Sequence, residues 1–194
     1  MSISTLLLSL FKYKAWANEE LFAELSKLDP DSQQAERHAA IRLLNHIYVV
    51  DRIFAAHLSE VAHGYAGTNT PEAPTLESLH EAVGASDRWY IEYIEALDPA
   101  RLRDSIEFSF TDGANGRMSR EEMLAHVATH GSYHRGAVGR IMAQVGVPLP
   151  RDIFTAYLHR AEPARRARCV ADATPRALLR RSLASVSIWT ARSG

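Results

Sequence analysis

Four stretches of this chain carry apolar residues every three to four positions, and strand signals are almost absent. A chain patterned in this way must bury four helical stripes at once. The first stretch runs from about Ser4 to Leu28, with Leu7, Leu10, Phe11, Leu21 and Leu25 on one stripe that also takes in Lys14, and Asp29-Pro30 ends it. The second runs from about Glu36 to Ala62 on Leu43, Ile47, Val50, Phe54 and Leu58, before a Gly/Pro-bearing stretch from His63 to Pro74. The third opens on Thr75 as N-cap and ends near Leu97, ahead of Asp98-Pro99. The fourth opens on Ser119, whose Glu122 completes a capping box, and ends near Gly146. Helices of about 22–27 residues are roughly 33–40 Å long. One apolar face on each predicts an all-α fold, a four-helix bundle. Between Arg103 and Met118, Ile106, Phe108 and Phe110 alternate with polar residues beside Asp112-Gly113 and Asn115-Gly116, so a short hairpin is expected between helices three and four.

Composition sets limits on function. The 194 residues carry a net charge of −1, which argues against nucleic-acid binding by the chain as a whole. No apolar run approaches the roughly 18 residues of a membrane span. The stretch Leu6–Phe11 lacks the basic flank and cleavage site of a signal peptide, so a cytoplasmic protein is expected. The single cysteine, Cys169, permits no internal disulfide and no thiolate metal cage. Charge is unevenly spread. Residues 161–194 hold seven arginines against two acids, a balance of +5, which leaves −6 for residues 1–160. The expected organisation is a helical domain over 1–160 and an Arg-rich extension over 161–194. Thr174-Pro175 followed by Leu179, Leu183, Val186 and Trp189 predicts an extra helix in that extension.

Nine histidines are present, and their placement points to chemistry. His126, His130 and His134 stand at successive i, i+4 steps, so adjacent members share a helix face at chelating distance. The stripe drifts by about 40° per step, so the outer pair reaches one ion poorly. A third ligand has to come from another helix. His46 and His57 lie on one face of the second helix, roughly 16 Å apart along its axis. If helices two and four run antiparallel with level ends, His46 lies at the depth of His134, and His57 at that of His126. Depth matching favours His46 with His130 and His134. His38, His63, His80 and His159 lie near termini, in loops or among polar neighbours, and are expected to be solvated.

The segments YKAWANEEL around Trp16 and Asn18, LLNHIYVVD, and HVATHGSYHRG, with Gly146-Val147-Pro148 and Asp152 to Leu158 following, together resemble the DinB family over about residues 1–160. The resemblance implies an up-down-down-up bundle and a metal triad at His46, His130 and His134. It also implies that His126 is not a usual ligand. Relatives include enzymes that use such a metal to activate a low-molecular-weight thiol, and others that resemble metal-dependent hydrolases.

Three neutral imidazoles favour one divalent transition ion, Zn²⁺, Ni²⁺ or Fe²⁺, and leave a coordination position open, the pattern of a catalytic metal. The leading expectation is a metal-dependent enzyme acting on a small molecule, thiol transfer ahead of hydrolysis. The alternative is a non-catalytic, stress-related metal-binding or dimerising module. Glu19, Glu20, Asp51 and Glu122 are the candidate acid/base carboxylates, each more often a solvated helix charge. A homodimer is expected, and nucleic acid is the least favoured partner.

Overall fold

The structure is a computed structural model that describes residues 2–165. It is mostly helical. The elements are α1 (Ile3–Leu25), α2 (Gln34–Leu58), α3 (Leu76–Ala96), a 3-10 turn (Pro99–Arg103), β1 (Ser105–Ser109), β2 (Asn115–Ser119), α4 (Arg120–Gln144) and α5 (Phe154–Ala161). The chain divides into two units, the second beginning at Tyr157. Of the second unit, the described residues finish α5 and add an ion pair between Arg165 and Glu162. The helix expected from Thr174 onward lies outside the described residues. Among the described residues, no helix is long and apolar enough to cross a membrane.

Helix ends follow their caps. Ser2, Thr75 and Ser119 each accept a hydrogen bond from a backbone N–H of the first turn, and Ser119 with Glu122 forms the predicted capping box. The second helix ends at Leu58, four residues before the expected Ala62. Val61 N–H donates to the Ala56 carbonyl and Glu60 N–H to that of His57, the two bonds of a Schellman motif. Its left-handed position is filled by Glu60 (φ 59°), so no glycine marks the stop in the sequence. At the end of α4 the same motif uses Gly146 (φ 75°), where the sequence reading expects it.

The predicted hairpin is present as an antiparallel pair with Ser105 opposite Ser119 and Ser109 opposite Asn115. Asp112-Gly113 makes the turn, whereas Asn115-Gly116 lies within β2. Gly116 is needed for space. A Cβ there would sit 2.6 Å from the Phe108 ring.

Side-chain ties across the helices give their relative courses. Arg120, at the start of α4, donates to the Leu58 carbonyl at the end of α2, and Gln33, at the start of α2, donates to the carbonyl of Val145 just past α4. Lys12 and Glu19 on α1 pair with Glu95 and His80 on α3, in reversed order. Two apolar clusters form the core. One gathers Phe11, Phe54, Tyr90 and Leu124 with Ile106 and Phe108 of the hairpin; the other gathers Leu21, Phe22, Leu44, Leu79 and Met142. Near the changeover from one cluster to the other, all four long helices carry buried polar residues: Lys14 and Asn18 on α1, Asp51 on α2, Asp87 on α3 and Arg135 on α4.

Candidate metal centre

The i, i+4 spacing on α4 does what helix geometry requires. His130 and His134 stand one turn apart with ring centroids 4.5 Å from each other, and α2 brings His46 to 4.9 Å from His130 and 4.7 Å from His134. One ring nitrogen from each of the three lies within 4.8 Å of the other two. All three side chains are half-buried. Among the described residues no carboxylate or other histidine joins this cluster.

The protonation pattern follows from the hydrogen bonds. A backbone carbonyl can only accept, so His46 Nδ1, 2.8 Å from the Thr68 carbonyl oxygen, carries the proton and donates it. His46 Nε2 is then a bare lone pair, and it faces His130 Nε2 at 3.1 Å. Two facing imidazole lone pairs repel, so a proton or a cation has to lie between them. Nitrogens held tetrahedrally at about 2.0–2.1 Å from one ion are roughly 3.3 Å apart, close to the spacing observed. The donor set therefore fits a transition ion. The Thr68 contact orients His46 as an outer-sphere carbonyl orients a metal-bound imidazole. The loop carrying Thr68 is itself tied down: Asn45 donates to Asn69 Oδ1 and Thr70 Oγ1, and Arg42 donates to the Thr70 carbonyl.

Electrostatics favour neutral rings. Burial, reinforced by His134 and His46, lowers His130 to a pKa of about 3. Burial and then His46 lower His134. Imidazoles that stay neutral keep their lone pairs available to a metal.

The other candidates fall elsewhere. His126 stacks on His130 (5.4 Å between centroids) and lies tilted against Phe54 (4.7 Å), which also meets His57, as depth matching expects, and remains outside the cluster. Glu19 pairs with His80, and Glu122 caps α4. His80 also stacks on Phe22, and His63 contacts the His57 ring, so neither is merely solvated. Tyr133 is 76% exposed with its ring edge against His134. Two cavities lie against α1 and α4, lined by Leu10, Ala128 and Ser132 and by Ala17, Gly136 and Leu149; neither is lined by the triad. A larger cavity, about 840 Å³, lies by the hairpin and is lined by His57, Glu60, Phe108, Arg117 and Arg120 among others.

Sequence reasoning misses one constellation, the charged layer between the two cores. Lys14 Nζ lies 2.7 Å from Asp51 Oδ2 and 2.6 Å from Asp87 Oδ1, with Asn18 donating to Asp87 at 2.7 Å. Burial raises Asp51 to a pKa of about 6 against the opposing pull of Lys14. Burial works against the Lys14 ammonium, but Asp51 and Asp87 outweigh it and its pKa is raised. The available signal is Lys14 standing on an otherwise apolar stripe.

The DinB family matches residues 1–167. Protein DinB of Bacillus subtilis (strain 168) is 23% identical over 159 residues, covering 77% of this chain and 91% of that relative. No solved structure matches the chain.

Proposed function

Since this chain belongs to the DinB family, we propose that it binds one divalent transition ion (Zn²⁺, Ni²⁺ or Fe²⁺) through His46, His130 and His134. On this reading it is an enzyme that activates a low-molecular-weight thiol or a water molecule. The carrying observation is the convergence of three imidazole nitrogens within 4.8 Å, with the bare Nε2 of His46 turned inward by Thr68. When bound, the ion would act as a Lewis acid that lowers the pKa of a thiol or water in an open position. The chain's own part is positional. Thr68 keeps the proton of His46 on Nδ1, the buried flank of His130 keeps that ring neutral, and exposed Tyr133 offers an aromatic surface beside His134.

The same reading takes the four long helices as an up-down-down-up bundle, supported by the reversed α1–α3 ties and the end-to-end α2–α4 ties. It places the protein in the cytoplasm, where small thiols stay reduced. It includes a homodimer, for which an apolar groove of about 300 Å³ between α1 and α4 offers a surface.

One observation favours a second reading, a non-catalytic metal-binding module: among the described residues no carboxylate stands in the histidine cluster to serve as acid or base. A screen of the metal-loaded protein for thiol transfer to electrophiles and for hydrolysis separates the two. Activity abolished by chelation, with far-UV circular dichroism retained, supports the enzyme. Unfolding on chelation makes the ion structural and removes the chemical basis of the enzyme reading.

A further inference from the structure

The α4 turn from His130 to Arg135 faces two ways. Its imidazoles meet α2, while the Arg135 guanidinium, on the residue after His134, runs inward and is 1% exposed. Its carboxylate partner comes from the segment beyond α4: Nε and Nη2 of Arg135 donate to Asp152 Oδ2 (2.8 Å) and Oδ1 (3.2 Å), and the Tyr13 hydroxyl donates to the same carboxylate. Residues 147–153 lie as a strap along α4. Leu149 packs on Gly139 yet is 49% exposed, and Ile153 is 51% exposed, so Asp152 is the strap's main polar anchor.

On its other side Arg135 joins the charged layer, with Nη1 3.4 Å from Asn18 Oδ1. A Cβ added to Gly131 would lie 3.2 Å from Arg135 Nη1 and 3.4 Å from Lys14 Cε. The guanidinium and the lysine stem are thus packed directly on the backbone between His130 and His134. A buried guanidinium that loses its carboxylate must move or admit water. At this position the displacement passes to the ligand-bearing turn.

We infer that Asp152, acting through Arg135, is a positioning residue for the His46–His130–His134 site, so that clasping of the strap and binding of the metal reinforce each other. The inference rests on the metal reading above. Coupling of this kind is reciprocal: whatever the clasp adds to metal affinity, the metal adds to the clasp.

The probe is Zn²⁺, titrated into the full-length chain against a chromophoric chelator, with the Co²⁺ d–d spectrum as a signature of site geometry. Asp152→Asn should weaken Zn²⁺ binding by about tenfold, the lower end of what loss of an outer-sphere partner costs. It should also alter the Co²⁺ spectrum with far-UV circular dichroism unchanged. Glu60→Gln is the control. It removes the nearer of the two carboxylate partners of Arg120, a buried guanidinium at the far end of the same helix, and should leave Zn²⁺ affinity within about twofold. In the unaltered chain, Zn²⁺ should slow tryptic cleavage after exposed Arg151, a readout that does not depend on any variant folding. Zn²⁺ affinity equal in wild type and Asp152→Asn, or cleavage after Arg151 indifferent to bound Zn²⁺, overturns the coupling and leaves the metal reading standing. Failure of the wild type itself to bind Zn²⁺ or Co²⁺ removes the metal reading and the coupling with it.

Discussion

Replacing Lys14 by Met removes the cation from a site where the side chain is 1% exposed and two carboxylates approach within 2.6–2.7 Å. Methionine fills nearly the same volume, so the apolar packing of the stem survives and the loss is electrostatic. Breaking a buried ion pair by removing one partner costs about 3–5 kcal/mol, because the remaining charge is left without compensation. Here Asp51 already has an unpaired buried oxygen, Oδ1, and loses its cation as well. At roughly 2–4 °C per kcal/mol for a chain of this size, Tm should fall by about 10 °C. The deficit should depend on pH with a definite sign. Asp51 titrates near 6 even with Lys14 beside it, and losing Lys14 moves it higher. The folded variant then holds a proton that the unfolded chain releases near its ordinary 3.8, so its stability falls as pH rises from there to the folded value, which stands higher in the variant than in the wild type, and levels off above it. Urea denaturation followed by circular dichroism should therefore show a larger deficit at pH 8 than at pH 5. Adding Asp51→Asn and Asp87→Asn to the variant should restore part of the loss. A deficit below about 1 kcal/mol, or one equal at both pH values, would refute the reasoning.

Three further outcomes follow from the same geometry. Without metal, the folded protein keeps His130 neutral to about pH 3 while the unfolded chain protonates it near 6.5, so stability falls as pH drops below 6.5; His130→Gln should flatten the slope between pH 7 and 5 by about 1–2 kcal/mol after discounting for partial exposure, and an unchanged slope in urea titrations counts against it. Gly116→Ala places a methyl 2.6 Å from the Phe108 ring and should cost about 1–3 kcal/mol; wild-type stability in the same assay would mean the hairpin gives way freely. Light scattering at micromolar concentration should return a dimer mass, and a monomer mass throughout withdraws the homodimer.

The helices and hairpin were legible because their determinants are local: apolar spacing, Ser and Thr caps, Asp112-Gly113 at the turn. The end of α2 was not, because its left-handed stop is Glu60, and Arg120, 60 positions away, holds that side chain. Spacing and depth favoured His46 with His130 and His134, because these sit on regular helices whose rise is known, and the family resemblance implied the same trio. The Thr68 contact depends on a loop conformation that no periodicity encodes. The layer of Lys14, Asp51, Asp87 and Arg135 was not read as a unit, with Lys14 placed on an apolar stripe and Asp51 among the acid/base carboxylates, because each charge is explained by partners on other helices. Asp152 was visible only as part of a family-like ending, and its clasp on Arg135 is a tertiary contact.

The central claim is that three imidazoles on α2 and α4 hold one ion. Elemental analysis of untagged wild-type protein and of His130→Ala, both dialysed against Zn²⁺ and then against metal-free buffer, tests it most directly. The account predicts one zinc per wild-type chain and a sharp loss in His130→Ala, with far-UV helicity retained in both. A full equivalent of zinc in His130→Ala would contradict it.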